Sequence, residues 1–337
     1  MIFLLFTHPE KFYNKDMQII EAVPNISDGE HPDIIARVVA AASVPGAHVL
    51  HVDSNADANR TVITIAGNPQ AVAESTFLLI HTASQLIDMR TQRGAHPRLG
   101  ATDVCPLVPV QDISLEETSQ LAEKLAQKVA DNLHIPIYLY EENARTKERQ
   151  NLAFIRRGEY ESLPDKLHTL PPDFGPKTWN EHVAKTGATV IGARKFLIAF
   201  NMSLNTQDVT IAREIATQLR EKNGGLKCVK AIGWYMPAYC CAQVSCNLTD
   251  FAQTGLAEVF ETCKKLAATR GLQITAGELI GLVPQEVLIK AGHFYLPEEK
   301  NTATLIDAAV NKLLLNNILP FKPNERILER VLNSLYL

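Results

Sequence analysis

The residues best equipped for chemistry gather around one histidine. The stretch Arg93-Gly94-Ala95-His96-Pro97-Arg98-Leu99-Gly100 sets an imidazole between guanidinium groups and glycines. Histidine is the side chain whose ordinary pKa, about 6.5, places proton transfer near neutral pH. Pro97 biases His96 toward an extended backbone, which limits where the ring can point. Gly94 and Gly100 allow positive φ or a close backbone approach to a ligand. Arg98 offers a planar fork for a carboxylate. The alternative is a loop histidine bonded to backbone, and chemistry alone separates the two readings little. Three further residues have bland readings of their own. Asp53 could cap a turn, Arg60 could be a surface ion-pair partner, and Asn25 could build the turn Ile26-Ser27-Asp28-Gly29.

Hydrophobic patterning supplies the elements that must position these groups. In the first half, strands are expected over 18–23, 48–53, 60–66 and 102–108, with helices over 32–43 and from Pro69 to about 89. Ser114, with Glu117 three residues on, reads as a capping box that opens another helix, and a strand follows over 137–140. The second half repeats the order: strands over 195–204, 229–235, 243–248 and 273–278, with helices over 207–220 and 256–270. Two amphipathic segments, 302–315 and 324–332, finish the chain. The order β-α-β-β-α-β, met twice, predicts an α+β protein of two ferredoxin-like units. Pro171-Pro172-Asp173-Phe174-Gly175-Pro176 is too rich in proline and glycine for regular structure and reads as a linker. The expected division is an extension over 1–16, a first unit over 17–170, a linker over 171–187 and a second unit over 188–337.

In a split βαβ unit, strands three and four run against strands one and two. The ends of strands one and two therefore share an edge with the starts of three and four. In the first unit that edge collects Asn25, Asp53, Asn59, Arg60 and the loop that carries His96. A histidine, a carboxylate, amides and arginines converge without metal-ligand spacing. That combination suits acid–base chemistry on an anionic substrate.

Bulk properties set limits. Of 337 residues, 46% are hydrophobic and 21% charged, enough for a sizeable core in two domains. A net charge of −4 argues against a nucleic-acid partner, which needs a basic face. No apolar run approaches the ~20 residues of a membrane helix, and the start lacks a signal-peptide layout. A cytoplasmic protein is expected, with Met17 a candidate start. The six cysteines form no CxxC pair and no zinc spacing, so reduced thiols are expected.

Several segments resemble one family in the right order: residues 21–29 (EAVPNISDG), 59–62 (NRTV), 94–106 (GAHPRLGATDVCP), 172–176 (PDFGP), 187–201 (GATVIGARKFLIAFN) and 233–235 (GWY). Together they are similar to glutamate formiminotransferase, the N-terminal half of formiminotransferase-cyclodeaminase, over about 17–295. The resemblance implies transfer of the formimino group of N-formiminoglutamate to tetrahydrofolate, in histidine degradation and one-carbon metabolism. It puts the catalytic histidine on His96 and its supporting aspartate on Asp53. Folate-contacting stretches fall on 175–187 and roughly 224–233, which include Gly175, Pro176, Lys177, Thr178, Gly187, Gly224, Lys227, Lys230 and Gly233. Arg60, Arg98, Arg194 and Lys195 are candidates for the substrate carboxylates, with Asn25 beside them. Tetrahydrofolate, including polyglutamylated forms, is expected as co-substrate, with no metal and with a homodimer as the family-based state. The chain leaves no room for a cyclodeaminase domain, so ammonia release would fall to another protein. The rival readings are formyl transfer from N-formylglutamate and non-catalytic folate binding.

Overall fold

The computed structural model describes residues 17–336; the expected extension over 1–16 lies outside the described residues. The chain begins with a broken strand, β1 (Ile19–Ala22) and β2 (Asn25–Ile26), interrupted at Val23-Pro24 because proline has no N–H to give the ladder. There follow α1 (Pro32–Ala41), β3 (Ala47–Asn55), β4 (Arg60–Gly67), α2 (Pro69–Leu86) and β5 (Thr102–Gln111). Pro69 opens α2 and Asn68 caps it, accepting from the Gln70 and Ala71 N–H groups. Next comes α3 (Leu115–Leu133), and the expected capping box is present: Ser114 and Glu117 satisfy each other's backbone N–H.

The first unit continues through β6 (Ile137–Leu139), α4 (Leu152–Ile155), α5 (Leu163–Thr169), α6 (Glu181–Thr186) and β7 (Thr189–Ala193). Strand β4 lies between β3 and the broken strand, which pairs on its other side with β5; all these pairings are antiparallel. This is the split βαβ arrangement. Strand β7 then adds parallel to β5, and β6 parallel to β7. The boundary expected at 188 therefore shifts: residues 189–193 belong to the first sheet. Their short apolar run is the signature of a parallel strand buried on both faces.

The second unit holds β8 (Ile198–Leu204), α7 (Val209–Leu219), β9 (Val229–Met236), β10 (Cys241–Leu248), α8 (Leu256–Ala268) and β11 (Ile274–Ile280). Its sheet runs β11-β8-β10-β9, the same order in four strands. Four helices follow: α9 (Gln285–Tyr295), α10 (Thr302–Lys312), α11 (Pro323–Arg326) and α12 (Leu328–Tyr336). The sequence reading had not marked α9, and the segment expected over 324–332 is split between α11 and α12.

Alternation decides which face of each sheet meets helices. In β4, Ile63 and Ile65 join the core under α1 and α2, which turns Arg60, Val62 and Thr64 the other way. In β8, Phe200, Met202 and Leu204 join the core of the second unit, which turns Asn201 and Ser203 the other way. The two helix-free faces meet across a polar gap. Contacts that span it are Asp53 with Gly281 N–H, Asp57 with Ala238 N–H and Asn55 with the Met236 sulfur. A third apolar cluster closes one end: Leu328 and Leu332 of α12 pack on Ile19 and Ala66 of the first sheet. All six cysteines are free thiols, and no helix of the described residues is long and apolar enough to cross a membrane.

Candidate active site

The His96 loop is held from both sides by backbone. Ala95 N–H donates to Asp57 O at 3.2 Å, and Ala101 N–H to Thr186 O at 2.8 Å. A Cβ on Gly94 would stand 2.5 Å from Ala58 O, and one on Gly100 2.4 Å from Ala188 O. Neither glycine has positive φ. They are needed because the protein's own backbone presses against the loop, not for approach to a ligand. Asn59, in the left-handed region at φ 47°, ties the loop to the start of the chain: it accepts from Gly29 N–H and donates to Arg93 O.

His96 sits on this frame half-buried. Its Nδ1 lies 2.8 Å from Pro97 O. A carbonyl can only accept, so Nδ1 carries the hydrogen and Nε2 keeps the free lone pair. Burial, then the guanidinium groups of Arg60 and Arg156, pull the imidazole down to about 3, against an upward pull from Asp103. His96 is therefore neutral at physiological pH.

The carboxylate near His96 is Asp103. It is fully buried, and its Oδ1 accepts from Leu99 N–H at 2.9 Å, inside the loop itself. Its Oδ2 accepts from Arg60 Nη1 at 2.8 Å and Arg156 Nη2 at 2.5 Å. Burial alone would raise its pKa; Arg156 and Arg60 together outweigh burial and hold it below the ordinary value. Arg60 Nε also donates to Asn25 Oδ1 at 3.0 Å, which bears out the convergence of these two residues. A β-bulge sets this up. Asn25 pairs with Val104 and Ile26 with Thr102, leaving Asp103 as the extra residue. Bulges re-aim a side chain in this way.

Asp53 is not in that place. It lies on edge strand β3, opposite Val62 and two residues in from the strand end, and its Oδ2 accepts from Gly281 N–H at 3.3 Å across the gap. The expected His96–Asp53 pair is not hydrogen-bonded here: His96 Nδ1 faces Pro97 O and Asp53 faces Gly281 N–H. The Arg98 side chain is buried and bonded to Glu159, Glu161 and Gln92. A recess of about 380 Å³ lined by Arg93, Gly94, Arg98, Gly158, Glu159 and Glu161 lies beside the loop; there Arg98 is paired with Glu159 and Glu161, while Arg93 donates to backbone carbonyls.

The remaining expected residues divide between scaffold and rim. Gly175 (φ +81°) packs against Ile135 O just ahead of β6, and Gly187 (φ +67°) against Leu99 O of the His96 loop. A Cβ on Gly233 would meet Arg213 N at 2.2 Å, so this glycine exists to let α7 approach β9. Gly224 (φ +86°) caps a short turn in open space. Within the expected 175–187 stretch, Glu181–Thr186 form α6, capped by Asn180. Lys177, Thr178, Lys227 and Lys230 are exposed, and Lys230 Nζ reaches Asn151 Oδ1 at 3.3 Å across the two units. Arg194 donates to Lys195 O, and Lys195 pairs with Asp250 on the surface.

Two functional groups escaped the sequence reading. Arg156 comes from an aperiodic stretch, and its Nε is buried without a hydrogen-bond partner beside His96. The opposite wall carries Trp234 Nε1 donating to Gln243 Oε1 at 3.1 Å, and Gln243 Nε2 donating to Ser203 Oγ at 3.0 Å. Period-two alternation of polar residues in 201–203 and 243–245 was the available signal.

A neutral imidazole beside two anchored guanidinium groups is thus joined to a fold of two split βαβ units. The chain belongs to the formiminotransferase family: residues 19–194 match the formiminotransferase domain, N-terminal subdomain, and residues 199–333 match the formiminotransferase domain. It is 44% identical over 326 residues to the formimidoyltransferase-cyclodeaminase of Mus musculus, covering 93% of this chain and 59% of that protein. It is 41% identical over 284 residues to the glutamate formimidoyltransferase of Streptococcus pyogenes serotype M1, covering 84% of this chain and 94% of that protein. A glutamate formimidoyltransferase of Thermoplasma acidophilum is 39% identical, with 83% and 93% covered. The chain thus spans about three-fifths of the bifunctional relatives and nearly all of the shorter ones.

Proposed function

We propose that the protein transfers the formimino group of N-formimino-L-glutamate to tetrahydrofolate, giving 5-formiminotetrahydrofolate and L-glutamate. The observation that carries this reading is a neutral His96 with a free Nε2 set beside the buried Arg60–Asp103–Arg156 network, in a chain of this family.

The transfer forms a bond from folate N5 to the formimino carbon and breaks the bond from that carbon to the glutamate nitrogen. His96 Nε2 takes the proton released at N5 and returns it to the departing nitrogen, so the imidazole ends neutral. Proton transfer of this kind contributes roughly 10²–10⁴-fold. Holding two large substrates in register supplies effective molarities of about 10⁵–10⁸ M. The guanidinium groups also tune the base. With the site empty they keep His96 weakly basic. Substrate carboxylates beside Arg60 and the unpartnered Arg156 Nε offset that positive charge, so the imidazole gains basicity as the site fills.

The gap between the sheets suits the flat folate, with Trp234, Gln243 and Ser203 along one wall. The exposed Lys177, Lys227 and Lys230 suit the carboxylates of a glutamate tail. Asn25 holds Arg60 in place. A cytoplasmic location and a homodimer belong to the same reading. Two measurements test it: formimino transfer by the purified protein, with N-formiminoglutamate and N-formylglutamate assayed side by side. Transfer from the formyl donor alone, or folate binding without transfer from either, would replace it.

A further inference from the structure

The wall opposite His96 carries a carboxylate that the reading above leaves without a task. Glu278 stands on β11, opposite Asn201 of β8, on the helix-free face of the second sheet. Tyr239 Oη donates to its Oε1 at 2.9 Å, and Asn201 Nδ2 to its Oε2 at 3.3 Å. Both partners are neutral, and among the described residues no lysine, arginine or histidine forms an ion pair with it. Burial, then the Glu278 carboxylate, push the Tyr239 phenol well up, so the phenol stays a donor.

One aspartate fixes where this group lies. The Asp57 carbonyl accepts from Ala95 N–H at 3.2 Å, and Asp57 Oδ2 accepts from Ala238 N–H at 3.1 Å. His96 is the next residue after Ala95, and Tyr239 the next after Ala238. The imidazole loop and the turn that carries Tyr239 are thus pinned to two arms of the same residue. Asp53, reaching over from β3 of the first sheet, adds a second negative charge near enough to act on Tyr239.

Charge is therefore sorted across the site. Around His96 two guanidinium groups share one carboxylate. Among the described residues, no cation is bonded to Glu278 on the second sheet or to Asp53 on β3 of the first. A substrate with carboxylates at one end and a cation at the other matches that arrangement. An amidine is protonated at neutral pH and presents coplanar N–H donors, which a carboxylate accepts with charge assistance. A formyl amide of the same shape carries no charge.

We propose that Glu278, held by Tyr239 and Asn201 opposite the His96 loop, recognises the cationic amidinium of the formimino donor and sets the preference for it over a neutral formyl analogue. The inference rests on the function proposed above and deepens it. Tyr239 and Asn201 are its positioning residues.

The test uses the full purified chain and steady-state rates, each substrate varied with the other saturating. Glu278→Gln keeps shape and hydrogen bonds and removes the charge. It should raise KM for N-formiminoglutamate roughly 10- to 100-fold, leave KM for tetrahydrofolate within about twofold, and leave inhibition by N-formylglutamate unchanged or stronger. Tyr239→Phe, which only loosens the carboxylate, should raise the donor KM by a smaller factor of roughly 3–10. Unchanged donor KM in both variants overturns the proposal. So does a rise in KM for tetrahydrofolate instead, which would assign Glu278 to the pterin, or an equal loss of N-formylglutamate binding. A wild-type protein that transfers no formimino group overturns the parent function and this inference with it, and that result appears before any variant is compared.

Discussion

The two units share an order of elements and use it differently. At its helix-free edge the first sheet buries charge: Arg60, Arg156 and Asp103 are locked together beneath the histidine loop. The second sheet offers mostly neutral donors and acceptors, Ser203, Gln243, Trp234 and Asn201, around the single carboxylate of Glu278. One unit holds what must not move; the other presents a surface against which a flat substrate can settle. The difference teaches that a repeated topology fixes where a site forms, while bulges and loops decide which half does the chemistry.

Substitutions can break or sharpen this contrast. The largest effect is expected at His96→Ala, which should fold normally and lose roughly 10²–10⁴-fold in kcat. Near-normal turnover in that variant would remove the first unit's claim to the chemistry. Next is Asp103→Asn, which leaves two buried guanidinium groups short of their anion. Urea unfolding should show a loss of about 3–5 kcal/mol, whereas Asp53→Asn should cost under about 1 kcal/mol. Equal losses would undo the assignment of Asp103 over Asp53. Gly233→Ala forces α7 off β9 and should destabilise by about 1–3 kcal/mol; a raised folate KM at unchanged stability would give this glycine back to the ligand.

A smaller effect concerns pH. Glu21 is buried in the helix-free face, one of its carboxyl oxygens without a partner. Burial raises it from 4.5 to about 7, with Arg194 opposing and Glu329 adding. The folded protein then holds a proton that the unfolded chain releases near 4.5. Stability from this group is present below that value and is lost as pH rises toward 7. Glu21→Gln should raise Tm at pH 8 and leave it nearly unchanged at pH 4, as a thermal melt series would show. The smallest change is expected at Lys195→Ala, an exposed ion pair worth at most about 0.5 kcal/mol.

Much of this was legible in the sequence for physical reasons. Side-chain alternation and caps are local, so the strands, the Ser114–Glu117 box and the edge that gathers Asn25, Arg60 and the loop could be read directly. The role of Asp103 could not, although it stands within the motif 94–106. Its orientation depends on a bulge, and strand register is set by the partner strand. Arg98 looked free because its partners, Glu159 and Glu161, lie in a stretch with no periodic signal. Gly233 looked like a ligand glycine because a helix pressing on a strand leaves no trace in spacing.

The apolar clasp of Leu328 and Leu332 against Ile19 and Ala66 has a consequence for assembly in time. Ile19 leaves the ribosome long before α12 does. The first sheet can form early, yet its helix-free face stays open to solvent until α12 has been made. Contacts between such distant parts of a chain form slowly, because a long loop must close first. During synthesis this face is therefore a surface that a chaperone has reason to cover.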